Sequence, residues 1–219
     1  LLSGTALAIK SLKPDCKVYG VQAANAPAMH HSYKEHHIVT TASADTFADG
    51  IAVKEPGSLT YDLINRYVDD IALVSEDEIA TAILMLLEKE KVVSEGAGAA
   101  SVAAAYFNKF HLSGKNVVCV VSGGNIDVNI LSRVMVRGLI MSGRRATFTI
   151  ALPDQPGQLE RVASVIAAGG GNVIDAYHSS SDVTMPINSC FLRVTIETRD
   201  AEHSTQIRKA LLANGMTLI

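Results

Sequence analysis

The residue types best suited to chemistry gather around Ser122-Gly123-Gly124-Asn125, directly after the apolar run 116–121. At a strand's carboxyl end in an open α/β sheet, a glycine pair lets backbone approach a ligand and holds the neighbouring hydroxyl at the crevice. A plain strand-to-helix turn has the same composition, so spacing alone leaves both readings open. Glu95 stands just before the small-residue stretch 96–105. Its carboxylate either faces a ligand or complements the positive end of the helix that follows. A second constellation, Asp154-Gln155-Pro156-Gly157, precedes an amphipathic segment. Amides at a helix amino terminus can hold a carboxylate and a side-chain carboxylate can accept from an ammonium group, which are the two charged ends of an α-amino acid. Asp154 could equally cap that helix, with Pro156 near its first turn. His30, His31, His36 and His37 lie close together, but their spacing matches no tetrahedral metal site, and they read as a solvated, partly helical connection.

The elements that must position these residues follow from periodicity and punctuation. Residues 5–12 are helix-like, Pro14-Asp15 is a turn and 17–22 is a short β-rich run. Leu59, Leu63, Ile64 and Tyr67 give 58–67 a helical period, and 69–74 reads as a buried strand. Ser75 and Glu78 have capping-box spacing and open a helix over 76–89 with Ile79, Ile83, Leu86 and Leu87 on its apolar face. The small residues of 96–105 predict a central, buried helix. The run 116–121 predicts a strand in a parallel sheet covered on both faces. Strands alternating with helices make residues 1–140 an α/β domain. The pattern then changes. Strands over 146–152, 172–179, 191–197 and 216–219, with helices over 158–168 and 201–213, spell the βαββαβ order of a ferredoxin-like domain over 145–219.

Composition narrows the partners. With 48% hydrophobic and 19% charged residues the chain can bury two modest cores. A net charge of −3 with scattered Lys and Arg excludes a phosphate-backbone footprint, so no nucleic-acid partner is expected. No apolar run approaches the roughly 20 residues of a membrane span, and the start lacks the features of a secretion signal. Cys16, Cys119 and Cys190, odd in number and set among apolar residues, read as reduced, buried thiols in a cytoplasmic protein. The chain opens directly in a helical pattern without an initiator methionine, from which upstream truncation is expected.

Four motifs occur in order: Thr46-Phe47-Ala48-Asp49-Gly50, the segment 68–79, Val92-Val93-Ser94-Glu95-Gly96-Ala97-Gly98-Ala99, and the segment 119–127. The set resembles threonine ammonia-lyases and their relatives the serine racemases, enzymes of the tryptophan-synthase-β-like pyridoxal-phosphate fold type II. The resemblance implies pyridoxal 5'-phosphate as cofactor, with the Ser122 hydroxyl on its ring nitrogen. A hydroxyl cannot stabilise a pyridinium as a carboxylate does, so the ring is a weaker electron sink and reaction is steered toward expelling a β-leaving group. Gly123 and Glu95 would lie near the ring or substrate, Gly50 would wall the pocket, and the Leu1 amide would adjoin the phosphate. The family's Schiff-base lysine would lie upstream of Leu1, since none of Lys10, Lys13 or Lys17 sits in its motif, so this chain alone is expected to be inactive. The implied reaction removes the α-proton of threonine, and of serine as a second substrate, and expels the β-hydroxyl. The enamine from threonine then hydrolyses to 2-oxobutanoate and ammonia. Some members bind a divalent cation near 20–28, but Gln22 and Ala28 stand where the usual carboxylates would, so no metal is expected there.

Residues 145–219, through Leu152-Pro153-Asp154-Gln155-Pro156-Gly157-Gln158-Leu159 and Gly169-Gly170-Gly171-Asn172-Val173-Ile174, resemble the regulatory ACT domain. That resemblance implies an effector amino acid, isoleucine or valine, facing Asp154, Gln155, Gly157 and Asn172 at a domain interface. It also implies end-product control of isoleucine biosynthesis in a homo-oligomer, a dimer or tetramer. Asn125 lies in the motif that nucleotide-activated relatives use for control. Two other readings stay open: a serine racemase, and an amino-acid-binding module without catalysis.

Overall fold

The computed structural model describes residues 1–180 and 186–219 and divides them into two compact units, Leu1–Val134 and Met135–Ile219. In the first, α1 (Leu2–Leu12) leads to β1 (Tyr19–Ala23), α2 (Ala28–Glu35) and a 3-10 turn (Asp49–Ile51). Then follow α3 (Ser58–Tyr67), β2 (Asp70–Val74), α4 (Glu76–Met85), a π-helical turn (Leu86–Glu90) and α5 (Gly96–Tyr106), and α6 (Val128–Met141) begins in this unit and ends in the next. The expected αβ alternation is present. β1 and β2 pair in parallel with Gly20 opposite Ile71 and Ala23 opposite Val74. Alternate strand residues face opposite sides, and each side meets its own core. Ile71 joins Ala6, Val18, Ile64 and Val68, whereas Ala23 and Val74 pack with Ile79, Ile83, Ala99 and Ala103 from α4 and α5.

Ser75 opens α4 with the expected reciprocal cap. The Glu78 N–H donates to Ser75 Oγ at 3.2 Å, and the Ser75 N–H donates to Glu78 Oε2 at 2.8 Å. The expected helix 76–89 is thus α4 prolonged by the π-helical turn, after which Lys91 takes φ +59° and ends it. α6 has no counterpart among the elements expected from sequence. Asp127 starts it by accepting from the Asn129 and Ile130 amides at 2.8 and 3.3 Å.

The run 116–121 departs from expectation. It forms no ladder, and Val118 is 89% exposed. A continuous apolar run becomes a buried strand only when neighbouring strands satisfy its amides and cover its faces. Among the described residues the first unit's ladder contains β1 and β2 alone. One side of the run is tethered instead to α5, where Ser101 Oγ donates to the Val120 carbonyl at 2.9 Å. Cys16 also departs from its expected burial. It is exposed in the bend between α1 and β1, beside Asp15 and Lys17, whereas Cys119 is half-buried and Cys190 buried.

The second unit contains β3 (Arg145–Pro153), α7 (Gln158–Ala168), β4 (Asn172–Ser179), β5 (Ser189–Glu197), α8 (Ala201–Ala213) and β6 (Thr217–Leu218). The order βαββαβ agrees with the sequence reading. Its antiparallel sheet has the order β4-β5-β3-β6. Phe148, Ile150 and Leu152 of β3 lie opposite Val194, Leu192 and Cys190 of β5, and this face packs on Val162 and Ile166 of α7 and Ile207 and Leu211 of α8. Buried His203 joins the helices: its Nδ1 accepts from the Arg199 amide at 3.1 Å, and Nε2 lies 2.7 Å from the Gly169 carbonyl.

Candidate functional site

In the first unit the small residues of α5 set how closely the Ser122–Asn125 loop can approach. A Cβ on Gly98 would lie 2.6 Å from the Gly123 carbonyl oxygen, a separation that real side chains do not tolerate. The loop is held at three points. The Glu95 N–H donates to the Gly123 carbonyl at 3.0 Å, and Glu95 Oε2 accepts from the Asn125 N–H at 3.1 Å. Buried Ser94 places its Oγ 3.1 Å from the Gly123 carbonyl and 3.0 Å from that of Glu95. Its one hydroxyl hydrogen can serve either acceptor.

Glu95 is the N-cap residue of α5, yet its side chain makes no capping bond and reaches across to the loop instead. The carboxylate sits over Gly123, where an added Cβ would meet Glu95 Oε1 at 2.4 Å. Gly50 stands beside it, since a Cβ there would lie 3.4 Å from the same oxygen and 3.0 Å from Ala97 Cβ. The structure therefore brings Gly50, Glu95, Gly123 and Asn125 together. Ser122 stands exposed next to Gly123. Leu1, at the amino end of α1, is 81% exposed and does not join this group among the described contacts.

The arrangement suits a flat heteroaromatic ligand in part. It offers a neutral hydroxyl that can donate to or accept from a ring nitrogen, and one carboxylate packed against Gly123 and Gly50 and already engaged by an amide. Lys10 and Lys17 both pair with Asp69, at 2.7 and 2.8 Å. Burial would raise the Asp69 carboxyl, but the hydrogen bonds from Lys10, Lys17 and the Val18 amide outweigh it and hold the pKa at about 2.

Gln22 and the histidines have local duties. Gln22 Oε1 accepts from the His30 N–H at 2.7 Å, satisfying an orphan amide in the first turn of α2. Burial, then the positive charge of His31 and Lys34, lowers the His30 pKa. His36 ends α2 with φ +58°.

In the second unit, Asp154, Gln155 and Gly157 line a cavity of about 550 Å³ with Leu159 and His178. Gly157 has φ +89°, a conformation that favours glycine, and sits at the N-cap of α7. Asn172 is not part of this wall. It lies opposite Glu197, whose Oε2 accepts from Asn172 Nδ2 at 2.9 Å, whereas the Asp154 end of the sheet is marked by Pro153 opposite Ser189. Both β3 and β4 run antiparallel to β5, so Asn172 begins β4 at the end of the sheet where β3 starts, opposite the end where β3 runs out into Asp154. Two groupings escaped the sequence reading: the Ser94 clamp, and the approach of Asp154, His178 and Cys190, whose ligand atoms all lie within 4.8 Å of one another. The first was visible as a Ser flanking Glu95, but the second comes only from strand register.

Comparison with known proteins places this geometry. The family model described as "Pyridoxal-phosphate dependent enzyme" matches residues 1–123. The L-threonine ammonia-lyase of Thermotoga maritima is 44% identical over 215 residues, 98% of this chain and 53% of the relative. Threonine deaminase isoform 2 of Solanum lycopersicum superposes with a TM-score of 0.60 at 32% identity, covering 64% of this chain and 39% of that one. Maize serine racemase gives 0.56 at 32% identity, covering 64% and 44%. The chain spans about half the length of the curated relatives it matches. More than half of its own length matches the family model, and that stretch contains Gly50, Glu95, Ser122 and Gly123; the chain belongs to the pyridoxal-phosphate-dependent enzymes.

Proposed function

We propose that the protein is a threonine ammonia-lyase that converts L-threonine to 2-oxobutanoate and ammonia, with L-serine as a second substrate. The observation that carries the reading is the exposed Ser122 hydroxyl on a loop fixed by Glu95 and Ser94 beside Gly50. Bound pyridoxal 5'-phosphate supplies an electron sink for the charge left by α-proton loss. Ser122 meets the ring nitrogen as a neutral hydrogen-bond partner and keeps that sink weak, which favours loss of the β-hydroxyl. Glu95 and Gly123 form the side of the pocket, Gly50 helps to wall it, and the Leu1 amide is assigned to the phosphate end. The lysine that carries the cofactor is assigned to the part of the relatives' length that this chain does not span.

The second unit reads as a ferredoxin-like ACT domain over 145–219, following a catalytic part over 1–140. Its effector is an apolar amino acid, isoleucine or valine, with the ammonium at Asp154, the carboxylate at the Gln155–Gly157 turn and the α7 amides, and the side chain toward Leu159. Asn172, at the opposite end of its own sheet, would join such a site only from a second copy, in keeping with a homo-oligomer. Asn125 is assigned to nucleotide control through its place on the Ser122 loop. A cytoplasmic location accords with the reduced-thiol reading. No described helix is long and apolar enough to cross a membrane.

Serine racemase is the second reading, favoured by the likeness to the maize structure. The Gln22 side chain, turned to the His30 amide, weighs against the cation site that this reading would use. The test is product analysis with the protein from its whole reading frame, loaded with cofactor. Threonine should yield 2-oxobutanoate, whereas D-serine from L-serine as the main product would replace the lyase with the racemase.

A further inference from the structure

Three segments of the second unit that are distant in sequence converge at one end of its sheet. Asp154 follows the last residue of β3, His178 lies one residue from the end of β4, and Cys190 is the second residue of β5. Register puts His178 opposite Leu192 and Cys190 opposite Leu152, so His178 and Cys190 are diagonal neighbours on the helix-facing side. One oxygen, one imidazole nitrogen and one sulfur, mutually within 4.8 Å, can surround a single ion. Tetrahedral zinc, with bonds of about 2.0–2.3 Å, places its ligand atoms roughly 3.5 Å apart. Closing that gap needs only side-chain rotation, because Asp154 and His178 are exposed while Cys190 is 1% exposed and set in the core.

We propose that Asp154, His178 and Cys190 form a binding site for a divalent transition cation of the zinc class. The donor set selects the ion. Magnesium and calcium take oxygen ligands, whereas a thiolate with an imidazole suits zinc, cobalt or nickel. The cavity bordered by Asp154 and His178 leaves one side of the ion open to water or a small ligand. Binding exchanges the thiol proton for the metal: the S–H bond breaks, the sulfur–metal bond forms and the proton goes to solvent, with no change of oxidation state. Asp154 is common to this site and to the proposed amino-acid pocket, so a cation and an ammonium group compete for one carboxylate. The site itself does not depend on the lyase reading.

The experiment is titration of the metal-stripped, reduced full-length protein with Co²⁺, followed by near-ultraviolet absorption. A thiolate-to-cobalt charge-transfer band should appear, saturate at one ion per chain and be displaced by Zn²⁺. Cys190→Ser should abolish the band. His178→Ala, at an exposed edge position that does not endanger folding, should weaken Co²⁺ binding at least ten-fold, the loss seen when metal sites are perturbed. Absence of the band, its persistence in Cys190→Ser, or unchanged affinity in His178→Ala would each overturn the site. Should Cys190→Ser fail to fold, His178→Ala alone decides.

Discussion

Gly98 controls the distance between α5 and the loop that presents Ser122. Adding one methyl there drives it to 2.6 Å from a backbone carbonyl, and backbone cannot swing aside as a side chain would. Gly98→Ala is therefore expected to displace the loop and lower threonine turnover by more than ten-fold, and crystallography of the variant should show Gly123 shifted. Ser94→Ala removes a buried hydroxyl shared between two carbonyls. A loss of about 1–2 kcal/mol in stability is expected from denaturant unfolding. At this scale the sequence was legible where residues adjoin in a motif. Ser122, Gly123 and Glu95 could be named together because family motifs contain them. Ser94 was overlooked because a buried serine announces nothing until its acceptors are known.

Capping and ion pairing fix the elements. Ser75→Ala removes the hydroxyl that caps the Glu78 amide, while the backbone N–H of residue 75 keeps its bond to Glu78 Oε2, and should cost about 1 kcal/mol, read as a lowered denaturation midpoint at unchanged slope. Asp69 ties the end of α1 to the start of β1 through Lys10, Lys17 and the Val18 amide. Its folded pKa, about 2, lies below the unfolded value near 3.9. The unfolded state therefore binds the proton more readily, and this contribution to stability is complete above the unfolded pKa and fades as pH falls toward 2. Asp69→Asn should flatten the acid limb of stability between roughly pH 5 and 2, and an unchanged limb would contradict the pairing. Capping signals and helical period made most of these elements legible from the residues alone. Residues 116–121 were not, because an apolar run says that a strand could be covered and not whether partners lie beside it. The placement of Asn172 relative to Asp154 is not legible in the sequence for a similar reason. Strand direction, which composition does not encode, sends the two to opposite ends of one sheet.

At the scale of the molecule there are two compact units: one carries the family match and the other presents a cavity framed by the start of α7. An amino acid bound there and coupled to catalysis would shift the apparent threonine affinity by about 5- to 150-fold, the usual reach of 1–3 kcal/mol of coupling. Calorimetry should detect heat with isoleucine or valine, reduced by Asp154→Asn, and silence with both would remove the sensor role. The lyase assignment turns on Ser122. Its most direct test is steady-state formation of 2-oxobutanoate by the cofactor-loaded, full-length protein carrying Ser122→Ala, with cofactor content verified. A fall in kcat of about ten-fold or more, with the fold intact, is expected from loss of the ring-nitrogen hydrogen bond. A rate equal to that of the unaltered protein would contradict it.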